Sequence, residues 1–510
     1  MSTVSTSVAA TSTDSGGESQ PQRGGILEVA TDADPGGLDP NTNAAFASWY
    51  VTELLYGSLL REDASGEVVP DVASSYEQVD DTTYEFTLRE GIKFADGPPV
   101  TSADVKYSFE RITDPETASP WASIFQVIEE IETPDDSTVV FHLKNTFAPF
   151  ISYVAHAPYT PIIDRNTVEE FGDLNNHANG TGMFALESYE PGNEVVLTRN
   201  PNYYDVERPY LDGIRMRVMS DDSTRLAAVR SGQVQLAWFQ DPRTSQLLEG
   251  AEGVSVLDPP SYRNEEGIAF NQTQPPFDDV RVRRAISVGI DREELIQLVL
   301  DGDGAIGSKI PPGAEPYGYS GDCEGLPYNC YDPDLARELL AQAGYSDGLE
   351  TQLHVSPQYQ RDVRTAEIIR DQLAEVGVDV EIVQADWTTT LSNYVQTTYD
   401  GMSMIGLVWQ PDPDADVHDI WHSSSAINLG KFSDPEVDRL IDEGRSTTDI
   451  EERAEIYLEL QRVVADNAYM VFPYTGRALR QVVGDRLNNF TPADSGLHAP
   501  GLRDGWLSDE

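Results

Sequence analysis

The stretch TYEFTLREGIKFADGPPVTSADVKYSFERI, residues 83–112, joins a strand, a tight turn and a helix. Its first part alternates apolar and polar residues, the period of a strand with one buried face. The apolar positions there are Tyr84, Phe86 and Leu88. After a Gly/Pro turn, Thr101 and Asp104 have the spacing of a capping box, which marks a helix start. The helical positions predicted to be buried are Val105, Phe109 and Ile112.

The same mixture of strands and helices continues along the chain. Strand patterns recur in TVVFHL (138–143), NEVVLTR (193–199) and IRMRVM (214–219). The part after residue 267 is more helical, and three aspartates stand where helix caps are expected: Asp291, Asp332 and Asp449. A chain of 510 residues exceeds the usual size of one domain. The pattern predicts a mixed α/β protein with more than one domain and no internal repeat.

The charge is strongly acidic, with 87 Asp and Glu against 34 Lys and Arg. This balance argues against nucleic acid and against anionic membrane surfaces, because both partners need a basic patch. Lysine is nearly absent, so arginine supplies almost all positive charge. We interpret the surface as salt-adapted and the source as a halophile.

The chain shows no apolar run of about 20 residues, the length that a membrane span requires. Residues 1–24 are rich in Ser, Thr, Gly and Gln, which predicts a disordered tether. They lack the basic start and apolar core of a secretory signal. Two interpretations stay open: an export signal, with or without a lipid anchor, precedes this sequence, or the protein remains inside the cell.

The two cysteines, Cys323 and Cys330, stand in the loop GDCEGLPYNCYDP and are too few for a zinc site. A local disulfide is the favoured interpretation, with two free thiols as the alternative. A disulfide indicates an oxidising, extracytoplasmic compartment.

Two well-known motifs occur in an unsuitable context. Residues Gly302, Gly304 and Gly307 match G-x-G-x-x-G, but a predicted helix precedes them, whereas a dinucleotide site needs a strand there. Ser346 lies in a G-x-S-x-G pattern at the end of a predicted helix, which is not a nucleophile elbow. Neither motif predicts an enzyme.

The stretch LVWQPDPDADVHDIWH, residues 407–422, places acids among large aromatic residues. A calcium loop is disfavoured, because Val417 stands at the position that needs glycine and Ser423 at that of the bidentate glutamate. His418 and His422 have i, i+4 spacing but lack the glutamate of a zinc protease between them. We predict no resident metal and no cofactor.

A ligand anchor is the remaining interpretation of this stretch. Asp412 follows Trp409 by three residues, and a carboxylate beside an indole can bind an ammonium group. The alternative is a solvated loop acid.

Several motifs occur in the order found in a known family. They are GGLDPN, LLYGSLLRED, GEVVPDVASSYE, YEFTLREGIKFADGPPVTSADVKYSFER, NGTGMF, RNPNYY, FNQTQPPFDDVRVRRAISVGIDREEL, YDPDLARELLAQAGY and FSDPEVDRLIDEG. The chain thereby resembles the family 5 extracellular solute-binding proteins of ABC importers, which include peptide- and nickel-binding members. The resemblance covers roughly residues 25 to 480.

The resemblance implies a two-lobed, periplasmic-binding-protein-like fold of the large class II, three-part type, with a hinged cleft between the lobes. The expected segments are a tether (1–24), lobe 1 in three pieces (25–50, 176–266 and 476–510), an additional domain of lobe 1 (51–175) and lobe 2 (267–475). The protein would be a receptor and not an enzyme.

In peptide-binding members, an aspartate shortly after a tryptophan holds the ammonium group of the ligand. Aligned on Trp409, this chain offers Asp412 for that role; aligned on Asp-Pro-Asp, Asp412 becomes a later, structural acid and the anchor is missing. The SGQVQ element, with Gln233 and Gln235, also departs from the family pattern. The further expected ligand-binding residues are Trp387, Gly182, Met183 and Phe184.

The sequence thus predicts an extracytoplasmic monomeric receptor that delivers short peptides to an ABC permease and its ATPase. One alternative keeps the fold and changes the ligand to an oligosaccharide or a nickel chelate. Aromatic platforms for a sugar would be Trp238, Trp409 and Trp421, and a chelate could use His418 or His422. A peptidase is the disfavoured alternative of another class.

Overall fold

The computed structural model describes residues 20–239, 241–259, 262–314, 316–408, 412–425, 427–477, 480–493 and 498–508. The helices are α1 (Phe46–Leu55), α2 (Ser102–Thr113), α3 (Ala122–Phe125), α4 (Phe150–Ala155), α5 (Arg165–Phe171), α6 (Asp222–Arg230), α7 (Pro242–Gln246), α8 (Val280–Val288), α9 (Arg292–Leu300), α10 (Pro333–Gln342), α11 (Gln360–Glu375), α12 (Trp387–Gln396), α13 (Pro413–Trp421), α14 (Pro435–Ser446), α15 (Ile450–Asp466) and α16 (Ala499–Leu502). Within the described residues, no helix has the length and apolar composition of a membrane span.

The strands build three larger sheets and two small hairpins. They are β1 (Ile26–Thr31), β2 (Leu60–Glu62), β3 (Val68–Pro70), β4 (Ala73–Asp80), β5 (Thr83–Leu88), β6 (Ile128–Asp135), β7 (Thr138–Leu143), β8 (Phe184–Glu190), β9 (Glu194–Arg199), β10 (Gly213–Val218), β11 (Leu236–Phe239), β12 (Val254–Leu257), β13 (Tyr262–Phe270), β14 (Gly304–Ala305), β15 (Leu349–Val355), β16 (Val378–Gln384), β17 (Met402–Val408), β18 (Met470–Val471), β19 (Thr475–Arg477), β20 (Arg480–Gly484), β21 (Leu487–Asn488) and β22 (Trp506–Leu507).

The first large sheet has the order β12-β20-β11-β1-β10-β9-β8. Its central strand β1 runs parallel to both neighbours and carries Leu27, Val29 and Ala30, all fully buried. A strand covered on both faces needs such an apolar run. This sheet contains β1 from the N-terminal part of the chain and β20 from the C-terminal part, so both parts contribute to the same sheet.

The four-stranded sheet β4-β5-β7-β6 contains the strand predicted from residues 83–88. Helix α2 packs on strands β6 and β7 of this sheet, and its capping box joins Thr101 and Asp104 as predicted from their spacing. The predicted apolar positions are buried in one core: Tyr84, Phe86, Leu88, Val105, Phe109 and Ile112. This sheet and the first one share that core, so we treat them together as lobe 1.

The third sheet has the order β14-β19-β13-β17-β15-β16, and β18 also pairs with β13. Helices α8 to α11 cover it, and the caps predicted at Asp291, Asp332 and Asp449 are present as hydrogen bonds to the first helical turns.

Cys323 and Cys330 form the predicted disulfide, with an S–S distance of 2.06 Å. Described residues from 262 to 477 are called lobe 2 below, whereas the segment boundaries expected from the sequence stay predictions.

The backbone passes between the lobes twice, after β12 and before β20. Arg480 lies at the second passage and pairs with Asp258 of lobe 1 at 2.6 Å and with Asp303 of lobe 2 at 3.3 Å. The strands that flank the two passages are paired in both lobes, β12 with β20 in lobe 1 and β13 with β19 in lobe 2. Two adjacent connections between lobes are the arrangement expected of a hinge.

The C-terminal segment is fastened to lobe 1 by the buried carboxyl of Glu53 in α1. The backbone N–H of His498 donates to Glu53 Oε1 at 2.8 Å. Burial raises the pKa of the Glu53 carboxyl to about 8, although the backbone hydrogen bonds of His498 and Ala499 oppose the shift. The folded protein therefore holds a proton on Glu53 at neutral pH.

Replacing Glu53 by Gln is expected to remove a pH dependence of stability. Because the folded pKa of Glu53 is raised to about 8 from 4.5, the folded state binds the extra proton. Its stability then falls as pH rises through that window, in total by roughly 5 kcal/mol. Urea unfolding at pH 5, 6.5 and 8 should show a flatter profile for Glu53→Gln than for the native chain.

The matched control is Glu451→Gln, which changes an exposed glutamate in the first turn of α15. It should keep the native slope of stability against pH. A native-like slope in Glu53→Gln would contradict a protonated Glu53.

Candidate functional site

A cavity of about 260 Å³ lies between the two lobes. Its wall in lobe 1 consists of Pro120, Trp121, Ile124 and Tyr159. Its wall in lobe 2 consists of Leu391, Tyr394, Val395, Ile405, Leu407, Ala415, Asp419, Ile420, Ile427 and Leu429. Since both lobes contribute, a solute bound there would contact both at once.

The wall in lobe 1 is a rigid aromatic pair. The rings of Trp121 and Tyr159 stack with centroids 4.3 Å apart, and Trp49 supports Trp121 from behind at 5.7 Å. Trp121 Nε1 donates to the carbonyl of Pro40 at 3.3 Å, so its polar edge is already satisfied. The indole therefore presents an apolar surface in a fixed orientation.

The wall in lobe 2 is formed by one side of α12, the end of β17, helix α13 and the segment that follows it. Trp387, a predicted site residue, begins α12 and packs edge-on against Tyr359 at 5.4 Å. The lining of the cavity starts one turn later, at Leu391. Trp387 is not part of this lining, so its contact with a solute stays a prediction, and Trp409 lies outside the described residues.

Asp412, the predicted ammonium anchor, is 2% exposed, and its carboxylate already accepts hydrogen bonds from other groups of the protein. Arg453 donates to its two oxygens at 2.6 and 2.8 Å, and the backbone N–H of Asp414 donates to Oδ1 at 2.9 Å. Asp412 therefore caps α13 and joins it to α15 within lobe 2. This geometry fits the register in which Asp412 is a structural acid, and the ammonium role stays a prediction.

Asp414, two residues later, connects the two lobes. Tyr153 of lobe 1 donates its hydroxyl to Asp414 Oδ2 at 3.1 Å, and Arg445 pairs with Oδ1 at 2.9 Å. The backbone of Arg445 also accepts a hydrogen bond from Ala148 N at 2.8 Å, and its guanidinium lies over the ring of Phe147. Burial raises the pKa of Asp414. This buried polar contact exists only where the lobes touch.

The predicted residues Gly182, Met183 and Phe184 lie in lobe 1, away from the interlobe cavity. A Cβ on Gly182 would stand 2.4 Å from the carbonyl oxygen of Leu54, so only glycine allows this approach to α1. Met183 and Phe184 are buried in the core of lobe 1. Gly182 and Met183 border a separate cavity of about 70 Å³. A role of these three residues in ligand binding stays a prediction.

The two histidines of α13 form a stacked pair with centroids 5.0 Å apart. His418 contacts Asp419 at 3.2 Å, and His422 lies 3.6 Å from Asp442. Over the described part of the chain, no group of three His, Cys, Asp or Glu side chains is arranged to hold a metal ion.

The residues that form the cavity were not found by the sequence patterns. Trp121 and Ile405 lie far apart in the chain, and each has the apolar character of an ordinary core residue. Only the contact between lobes brings them to opposite sides of one space. Four residues of the stretch 407–422 line the cavity, although none of them was predicted as a ligand contact: Leu407, Ala415, Asp419 and Ile420.

A model of the bacterial extracellular solute-binding proteins, family 5 middle, matches residues 67–428. The glutathione-binding protein GsiB of Salmonella typhimurium is 29% identical over 438 residues, which cover 84% of each chain. Among solved structures, AgaA of A. tumefaciens R10 in complex with agropinic acid has 27% identity and a TM-score of 0.82, covering 95% of this chain and 99% of AgaA. DppA of Helicobacter pylori in complex with the peptide STSA has 23% identity and a TM-score of 0.81, covering 96% and 99%.

Replacing Asp412 by Asn is expected to destabilise lobe 2 and to leave solute affinity nearly unchanged. The substitution leaves the buried guanidinium of Arg453 without its full countercharge, which typically destabilises by about 3–5 kcal/mol. Urea unfolding measures the stability, and calorimetric titration of the folded variant with a short peptide measures the affinity.

Asp379→Asn, a change at an exposed aspartate of β16, serves as the control and should leave both quantities unchanged. A stable Asp412→Asn variant with affinity reduced more than tenfold would instead establish the ammonium anchor.

Proposed function

Since this chain belongs to the family 5 extracellular solute-binding proteins, we propose that the solute it captures for its ABC permease is a short peptide. Proteins of this family are extracytoplasmic receptors that work with a membrane permease and its ATPase. The observation that carries the proposal is the cavity bounded by both lobes. A solute bound there would contact Trp121 on one side and Ile405 on the other.

Closure follows from these two-sided contacts. A ligand shifts a conformational equilibrium only by its difference in affinity for the two states. A solute in this cavity makes its full set of contacts only when the lobes are together. The bond between Tyr153 and Asp414 also forms only in the closed arrangement, so it adds to the stability of that state.

Several relatives support a peptide as the solute. GsiB is named for glutathione, DppA was solved with the peptide STSA, and AppA of Bacillus subtilis was solved with a nonapeptide. The cavity also lies beside the end of strand β17, and an extended peptide backbone can pair with strand groups. Of the predicted site residues, Trp387 is retained as a predicted solute contact outside the cavity lining, and an ammonium contact of Asp412 is retained only as the hypothesis tested above.

The alternative ligands have less support. Trp238 and Trp421, considered as sugar platforms, are each 1% exposed and belong to the cores. His418 and His422 stack on each other and contact acids of their own lobe. We therefore propose a receptor without catalytic activity. Binding of an oligosaccharide or of a nickel chelate in place of a peptide, or cleavage of a bound peptide, would contradict this proposal. The monomeric state and a lipid tether remain predictions.

Short peptides are expected to bind and to close the lobes. Calorimetric titration with Gly-Gly-Phe, a pentapeptide, glutathione, maltotriose and a nickel–histidine chelate should give affinity in the micromolar range or better for a peptide alone. X-ray scattering should show a smaller radius of gyration with that peptide. Mass spectrometry should recover the peptide uncleaved after incubation.

Trp121→Ala should lower the affinity at least tenfold, because it removes the rigid face of lobe 1. Tyr331→Ala, at an exposed position of lobe 2, should bind like the native chain. Binding of the sugar or the chelate alone, or cleavage of the peptide, would refute the proposal.

Tyr153→Phe is expected to lower peptide affinity about tenfold without changing the wall of the cavity. The substitution removes one hydrogen bond to a buried carboxylate, which is worth about 1.5–3 kcal/mol. Because the bond joins the lobes, its loss should appear as faster peptide release in stopped-flow fluorescence. Tyr331→Phe is the matched control, and an unchanged release rate in Tyr153→Phe would show that the bond does not contribute to closure.

A further inference from the structure

We propose that the interlobe cavity selects solutes by one bulky apolar group, of the size of a phenyl or indole ring, and not by a charged end. This inference rests on the proposed function and names the solute class within it: peptides that carry a large apolar side chain. It follows from the lining, the volume and the pairing of the nearby charges.

The lining offers few charged groups for recognition, although Tyr159 and Tyr394 add hydroxyl groups to it. Among the described residues that form the walls, Asp419 alone carries a charge. Its side chain is 41% exposed and contacts His418 Nδ1 at 3.2 Å, which places the charge at the mouth. The remaining wall is aliphatic and aromatic. A solute group inside would therefore lose its hydration without gaining a charged partner.

The buried charges closest in sequence to this wall are already paired. Asp412 is bound by Arg453 through both oxygens, and Asp414 is bound by Arg445 and Tyr153. To bind a charged solute group, either acid would have to leave a buried partner, which is strongly unfavourable. The chain carries a net charge of −53. The carboxylates of Asp412 and Asp414 are nevertheless already paired within the protein, so we expect neither to bind an ammonium group of a solute.

The volume matches an aromatic group. An apolar cavity of about 150 Å³ in another protein binds benzene, so about 260 Å³ accommodates a phenyl or an indole ring. Such a ring would lie between the stacked pair Trp121 and Tyr159 and the aliphatic surface around Ile405. Because these groups belong to different lobes, filling the space stabilises the closed state through apolar burial.

A matched peptide series tests this selection. Gly-Gly-Phe, Gly-Gly-Leu, Gly-Gly-Ala and Gly-Gly-Glu share one backbone and differ at a single side chain. We expect the affinity for the Phe peptide to exceed that for the Ala peptide by about 10- to 100-fold, with Leu between them and Glu weakest. Calorimetry at two salt concentrations should give the same order, since apolar burial is not screened.

Two variants locate the selection in the cavity. Leu391→Gln places an amide on the α12 wall, at a residue that is 38% exposed and tolerant of a polar side chain. It should reduce the preference for Phe over Ala at least fivefold with little change in melting temperature. Leu298→Gln is the matched control, because Leu298 is a helix residue of the same lobe, 45% exposed and outside the cavity lining.

The outcomes separate this inference from the proposed function. Equal affinities across the series would overturn apolar selection while the peptide receptor stands. Binding of N-acetyl-phenylalanine but not N-acetyl-alanine, with no peptide bound, would uphold the apolar cavity and refute the peptide class. If none of these solutes binds, both apolar selection and the peptide receptor are refuted. If Leu391→Gln keeps the native preference for Phe over Ala, the cavity is refuted as the origin of that preference.

Discussion

The constraint on which the rest of this structure depends is the paired passage of the backbone between the two large sheets. The chain leaves lobe 1 after β12 and returns at β20, and these strands are neighbours in one sheet. An opening motion between the lobes would therefore bend the chain at two adjacent connections. Arg480 holds acids from both lobes at this place, so the hinge has a polar centre.

Hinged closure explains why the site is made of residues that have no local relation to each other. The aromatic pair Trp121 and Tyr159 belongs to lobe 1, and Ile405 belongs to a strand of lobe 2. Neither wall encloses a space by itself. A solute that fills the space between them makes contacts available only in the closed state, which is the physical basis of a receptor that signals occupancy to its permease.

Two acidic residues near the cavity, Asp412 and Asp414, are paired with side chains of the protein itself. Asp412 joins α13 to α15 through Arg453, and Asp414 joins α13 to lobe 1 through Tyr153. Two neighbouring acids of one short motif thus perform two tasks, one inside a lobe and one between lobes. In both cases an arginine neutralises a buried carboxylate, Arg453 for Asp412 and Arg445 for Asp414.

The sequence by itself determined the elements and the family. The strand at residues 83–88, the capping box at Thr101 and the disulfide between Cys323 and Cys330 depend on residues close together in the chain, so local spacing predicts them. Only the tertiary structure decided the role of Asp412, because its partner Arg453 lies 41 residues away and no local pattern relates the two. The cavity likewise required the structure, since Trp121 and Ile405 are ordinary apolar residues until the lobes bring them together. Packing between distant segments is not encoded in the periodicity of either one, and this is the physical reason that the site could not be predicted from the sequence alone.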